Sequence, residues 1–154
     1  MSENENRLNA LSIEIKKHNL TWNDEQQETQ EYVEYMIDGR SLREILSEQN
    51  DNSVFTEGYI GLRPSDFFLP STHFIGEADG ALLESNGSRT ILICGDCGMA
   101  MCSDVSFELE VRDDYVTWKN FQKPVYDNDF VFYKGGPFVF PRKEYESALN
   151  HSSK

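Results

Sequence analysis

Val105, Phe107, Leu109 and Val111 alternate with Ser106, Glu108, Glu110 and Arg112. A helix, repeating every 3.6 residues, cannot place those four apolar side chains on one face, whereas a strand, repeating every two, does so directly. Asp113-Asp114 then supplies turn chemistry, and Tyr115-Val116-Thr117-Trp118-Lys119-Asn120-Phe121 returns as a second strand. An antiparallel hairpin over 103–112 and 115–121 is therefore the fixed point for the rest of the chain. Its apolar face must be covered by a second layer. We expect Val105, Phe107, Leu109, Val111, Val116, Trp118 and Ile91 to be buried on one side of that sheet.

Other segments carry weaker versions of the same signals. Leu11, Ile13 and Ile15 alternate with polar residues, as do Val33, Tyr35 and Ile37, so strands are expected near 11–15 and over 31–37. Residues 23–31 hold no apolar side chain and read as a solvated loop. Asp38-Gly39 marks a turn. Ser41 stands three residues before Glu44, the spacing of a capping box, ahead of a short helix with Leu42, Ile45 and Leu46 on one face. Residues 50–80 form a long connection punctuated by Gly and Pro. Its aromatics, Phe55, Tyr59, Phe67, Phe68 and Phe74, argue against disorder, and Phe67-Phe68-Leu69 is expected to cap the open face of the sheet. Asn86-Gly87 reads as a type I′ turn between strands at 81–85 and 88–93. Phe130-Val131-Phe132-Tyr133 is a further short strand, broken by Gly135-Gly136-Pro137. Pro141 suits the first turn of a terminal helix whose Tyr145, Ala148 and Leu149 face the sheet. The expected fold is α+β: an antiparallel β-meander with a short helix in the N-terminal half and a C-terminal helix. Residues 1–8 are expected to be disordered and 9–150 to form a single domain.

Charge bears on function. The 154 residues contain 14 Lys and Arg against 27 Asp and Glu, a net charge of −13. A protein gripping nucleic acid through phosphates needs a basic surface, and an anionic membrane asks for the same. Neither is expected as a partner. Met1-Ser2-Glu3-Asn4-Glu5-Asn6 lacks the cationic start and apolar stretch of a secretory signal, so a cytoplasmic location is expected.

All three cysteines fall in Cys94-Gly95-Asp96-Cys97-Gly98-Met99-Ala100-Met101-Cys102. An odd, tightly spaced set is no disulfide framework. The spacing permits a zinc knuckle in which Cys94, Cys97 and Cys102 are joined by a fourth donor, for which His73 is the candidate. A redox pair is the second reading, although Asp96 between the thiols opposes thiolate formation. The third is plain burial, since free cysteine often packs as a small hydrophobe.

The segment from about residue 58 to 150 resembles a family of small bacterial proteins, common in actinobacteria. Their second half carries a C-x-C or C-x-x-C pair, a glycine, a third cysteine, a Trp- and Phe-bearing hairpin, a proline, a Gly-Pro-Phe and an aromatic-rich terminal helix. The matching residues are Cys94, Cys97, Gly98 and Cys102, then Val116, Trp118, Phe121 and Pro124, then Gly136, Pro137, Phe138, Phe140, Arg142, Tyr145, Ala148 and Leu149. Gly61, Leu62, Pro64, Pro70, His73 and Gly76 continue it upstream. Met101 and Ser103 stand where the family pattern has glycine and an aromatic. The resemblance implies a shared fold and knuckle, and no particular reaction.

No nucleophile elbow, phosphate loop or dinucleotide fingerprint is present. The expected function is therefore a non-enzymatic acidic binding protein that neutralises a basic protein partner, most specifically a bacterial immunity protein directed at a toxin. Its contact residues are expected to be Asp24, Glu25, Glu28, Glu31 and Glu34, with Tyr59 or an exposed Phe as anchor. The alternative is a small zinc protein built on the cysteine knuckle, so the cofactor is either none or one Zn²⁺.

Overall fold

The computed structural model describes residues 8–20, 28–78, 80–95, 104–125 and 129–150. It is an α+β fold in which two antiparallel sheets share one apolar core. The first sheet has the order β1-β2-β3, from β1 (Leu11–Leu20), β2 (Glu28–Ile37) and β3 (Arg40–Ser41). The second runs β4-β5-β6-β7-β8, from β4 (Tyr59–Gly61), β5 (Arg89–Cys94), β6 (Val105–Val111), β7 (Tyr115–Pro124) and β8 (Phe130–Phe132); β9 (Phe138–Pro141) also pairs with β7. Among the described residues four helices complete it: α1 (Leu42–Asn50), α2 (Val54–Glu57), α3 (Pro64–Phe67) and α4 (Arg142–Leu149).

The hairpin that anchors the sequence reading is present, with Val111 opposite Val116 and Leu109 opposite Trp118. Ile91, Val105, Phe107, Val116 and Trp118 are fully buried. Leu109 and Val111 are half-buried and pack against the core's margin. A bulge between Ser106 and Glu108 interrupts strict alternation, so Ser106 is buried as completely as its apolar neighbours.

The two sheets are joined by main-chain and phenol hydrogen bonds. The Val33 N–H donates to the Leu62 carbonyl at 2.9 Å. That approach requires Gly61, because a Cβ there would lie 1.9 Å from the Val33 oxygen. Tyr35 donates its hydroxyl to the Ile91 carbonyl at 2.8 Å and accepts from the Leu62 N–H at 3.3 Å. Tyr35, Phe67, Phe74, Phe107, Trp118 and Tyr145 form a continuous aromatic cluster. The Trp118 indole donates to the Tyr145 hydroxyl at 3.0 Å, which in turn donates to the Phe74 carbonyl at 2.5 Å. Burial raises the Tyr35 and Tyr145 hydroxyls far above the usual phenol range, so both stay neutral donors.

Several expectations need correction. β2 begins at Glu28, so residues 28–31 are strand and only part of 23–31 could be loop. A strand face exposed to solvent, as at Thr29 and Glu31, needs no apolar residue. Residues 81–85 are not a strand: a 3₁₀ turn covers Gly80–Leu82, and only Leu83 bridges to Arg89. The Asn86-Gly87 turn is not type I′, because only Gly87 has positive φ. The Gly87 N–H donates to Glu84 O and the Glu84 N–H to Ser88 O, a three-residue loop closed by a glycine bulge. The type I′ geometry belongs instead to Asp38-Gly39, whose φ values are 55° and 83°. Ser41 caps α1 by accepting from the Arg43 N–H at 3.1 Å, but its hydroxyl turns to Glu34 rather than into a box with Glu44. Pro141 is the residue before the terminal helix rather than its first turn. The five aromatics of the long connection are all buried, Phe67 and Phe68 as expected of a cap over the open face, but Leu69, expected to join them, is 46% exposed. The expected disordered end lies, except for Leu8, outside the described residues.

Candidate functional site

β1 and β2 form one long hairpin, paired from Leu11 opposite Ile37 to Leu20 opposite Glu28. Tyr32 to Ile37 of β2 are buried apart from half-buried Met36, while toward the far end Asn19, Thr29 and Glu31 are exposed and Leu20 is buried. An open cleft beside this far end is lined by Leu20, Thr29, Gln30, Glu31, Arg63 and Ser65, among others. Arg63 donates to the Gln30 side chain at 3.3 Å across it. Glu31, opposite Lys17, is the one expected contact acid whose side chain is described and exposed. Glu28 starts β2, and its side chain lies outside the described residues, as do Asp24 and Glu25 entirely.

Glu34 is a correction. It is 2% exposed and belongs to the interior. Arg43 donates to Glu34 Oε2 through Nε at 3.0 Å and to Oε1 through Nη2 at 2.5 Å, and the Ser41 hydroxyl donates at 2.7 Å. Burial alone would raise the Glu34 carboxyl; the hydrogen bonds from Arg43 and Ser41 and the Arg43 charge outweigh it and hold the group below the usual carboxylate range. Arg43 also donates to the Tyr59 carbonyl at 2.7 Å and lies 5.5 Å from the Tyr32 ring centre. One guanidinium thus ties α1, β2 and β4 together. Tyr59 is corrected for the same reason. It is 5% exposed and stacks on Phe55, so it cannot anchor a partner without leaving the core. The most exposed large hydrophobic residue described is Phe132, 58% exposed on β8 in the other sheet.

The cysteine region is only partly in view. Cys94 is half-buried at the end of β5, opposite Tyr59, while Cys97 and Cys102 lie outside the described residues. His73 does not sit beside Cys94. Its Nε2 lies 2.9 Å from the Thr90 carbonyl, and a strand rise of about 3.3 Å per residue separates Thr90 from Cys94 by about 13 Å. The histidine that reaches this region is His18, whose Nε2 lies 2.7 Å from the carbonyl of Gly95, the residue after Cys94. Proximity of His18 to the chain terminus in sequence hides this, because only the hairpin register carries it there. Among the described residues, no group of three or more His, Cys, Asp or Glu is placed to hold a metal ion.

A buried polar row along β5 and β6 is not legible in the sequence. Arg89 donates to the His73 carbonyl at 2.6 Å, Thr90 to Asp104 at 3.3 Å, and Asn86 to Gln122 at 2.5 Å, while the Ser88 and Ser106 hydroxyls meet at 2.8 Å. Nearby, burial first and the Asp104 charge second raise the Glu84 carboxyl. Ser88, Thr90, Asp104, Ser106 and Gln122 are each at most 2% exposed, so the row holds strands together rather than meeting solvent.

No family model, curated protein or solved structure matches the chain. Among the described residues no helix is long and apolar enough to cross a membrane.

Proposed function

We propose that this is a non-enzymatic binding protein that neutralises a cationic protein partner, of the kind formed by a bacterial immunity protein and its toxin. The observation that carries the reading is exposed Glu31 on β2, together with the acidic stretch of sequence leading to it: residues 21–31 hold Asp24, Glu25, Glu28 and Glu31 and no Lys or Arg, on a chain of net charge −13. A toxin that acts on nucleic acid needs a basic site to hold phosphates, and an acidic surface blocks such a site by complementarity. Glu34 and Tyr59 leave the proposed contact, because both serve the interior.

The test is kinetic. Capture from the native host at low salt should recover a basic protein. Its association should slow as ionic strength rises, because the Debye length falls from about 30 Å at 0.01 M to about 10 Å at 0.1 M. Replacing Asp24→Asn, Glu25→Gln and Glu28→Gln together should reduce the association rate and much of that salt dependence. Recovery of no basic partner, or a salt-independent rate, would overturn the reading.

A second reading has one observation in its favour. A metal-bound histidine commonly donates its other ring N–H to a backbone carbonyl, and His18 is poised to do so to Gly95, next to Cys94. In a zinc protein, Cys94, Cys97, Cys102 and His18, rather than His73, would then be the donors. Elemental analysis decides it: one equivalent of zinc, lost in His18→Ala, supports it, and metal-free folded protein removes it.

A further inference from the structure

The outer edge of β1 carries the inference. Two hydrogen-bond facts fix which way its backbone points. Val33 donates its N–H to Leu62, and Ile37 pairs with Arg40 of β3, so both turn their backbone polar groups away from β1. Their partners across the hairpin, Ile15 and Leu11, therefore form non-hydrogen-bonded pairs with them and direct their own N–H and C=O outward. By alternation, Ile13, Lys17 and Asn19 do the same. Asn9, in the same phase, already donates its N–H to the Val139 carbonyl at 2.7 Å. From Leu11 to Asn19, no backbone hydrogen bond from that outward row to another described residue is present. The strand is ten residues long, and Ile15 on it is 39% exposed. A long edge of this kind is a template for another strand.

We propose that a second copy of this chain occupies that edge, β1 pairing antiparallel with β1 of the partner subunit about a twofold axis at Ile15. A twofold axis normal to a sheet places side chains of the same face opposite one another. With the axis at Ile15, Glu14 lies opposite Lys16 of the partner subunit, and Lys16 opposite Glu14 of the partner subunit. Ile15 meets Ile15 of the partner subunit in a reciprocally hydrogen-bonded pair, flanked by Ile13 with Lys17 of the partner subunit. Glu14 and Lys16 are available for this, being about half exposed and only 3.8 Å apart on their own strand. Neighbouring registers lose the match. An axis at Glu14 sets Glu14 against Glu14 of the partner subunit, and an axis at Lys16 or Lys17 sets lysine against lysine. Lysines on an edge strand ordinarily deter pairing; here Lys16 is met by an acid when the other strand is its own copy, which is why a second copy is favoured over an unrelated strand.

Sedimentation equilibrium over a range of concentrations tests this. The full chain should be a reversible dimer. Glu14→Lys should weaken self-association by about tenfold or more, because two opposite-charge pairs become like-charge pairs. The charge swap Glu14→Lys with Lys16→Glu should restore it. In Ile15→Cys made with Cys94, Cys97 and Cys102 each replaced by Ser, mild oxidation should give a dimer bridged at position 15, since directly opposed Cα atoms of a hydrogen-bonded pair lie about 5.5 Å apart, within disulfide reach. Circular dichroism of each variant verifies that it folds. A wild-type chain that stays monomeric at every concentration would overturn the proposal. So would a dimer indifferent to Glu14→Lys, a swap that fails to restore pairing in folded protein, or a bridge mapping away from position 15.

Discussion

Glu31 and Glu34 stand three residues apart in one strand, yet they belong to different parts of the molecule. Glu31 is exposed toward the far end of the β1–β2 hairpin, with Lys17 across from it. Glu34 is 2% exposed, held by two nitrogens of Arg43 and the hydroxyl of Ser41. Residue type, strand and propensity are the same; what differs is the layer lying over each position. α1 and β4 bring Arg43 onto β2 at Glu34, and nothing among the described residues buries Glu31. An acid's place in a sequence thus says little about whether it faces solvent or an ion pair. The tertiary neighbour decides, and removing that neighbour is the way to probe each site.

The largest effect should come from Arg43→Ala. It strands a buried carboxylate, and breaking a buried pair from one side costs about 3–5 kcal/mol. Urea unfolding would read this directly. Replacing both partners, Glu34→Leu with Arg43→Met, should recover most of the loss, because the desolvation cost disappears with the charges. Ser41→Ala should cost about 1 kcal/mol, in the range for a removed helix cap, and it also takes away one hydrogen bond to the Glu34 carboxylate. The pH dependence should follow the same site. Since the folded Glu34 carboxyl lies below its ordinary value of 4.5, its contribution is complete above that value and is lost as pH falls through the lower, folded one. In Arg43→Ala that acid-side loss should shrink, which thermal melts between neutral and acid pH would register. The smallest effect belongs to Glu31→Gln, within about 0.5 kcal/mol of wild type, as for other surface changes.

Much of the fold is legible where one face alone is buried. The alternation at Val105–Val111 and Val33–Ile37 identifies strands, and the i, i+3, i+4 spacing of Leu42, Ile45 and Leu46 identifies α1. The signal fails where burial does not follow period. Glu28–Glu31 is strand without an apolar residue, and Thr29 and Glu31 on one of its faces are exposed. β9 escapes the pattern, since Phe138-Val139-Phe140 sits between a Gly-Gly-Pro break and a helix and alternates for too few residues. The candidate site is half legible. Composition identifies the acidic stretch, but it places Glu34 and Tyr59 on the surface, because Arg43, which binds both, comes from a different element. Position in sequence favours His73 over His18 as the histidine of the cysteine region, whereas the hairpin register brings His18 to Gly95, beside Cys94, and His73 lies at Thr90.

The most direct measurement sets the two glutamates side by side. Urea midpoints of Glu34→Gln and Glu31→Gln should separate clearly: a marked fall for Glu34→Gln at unchanged slope, because Arg43 is left buried without its counter-charge, and no resolvable change for Glu31→Gln. Equal midpoints for the two variants would contradict the division of this strand into an interior ion pair at Glu34 and an exposed acid at Glu31.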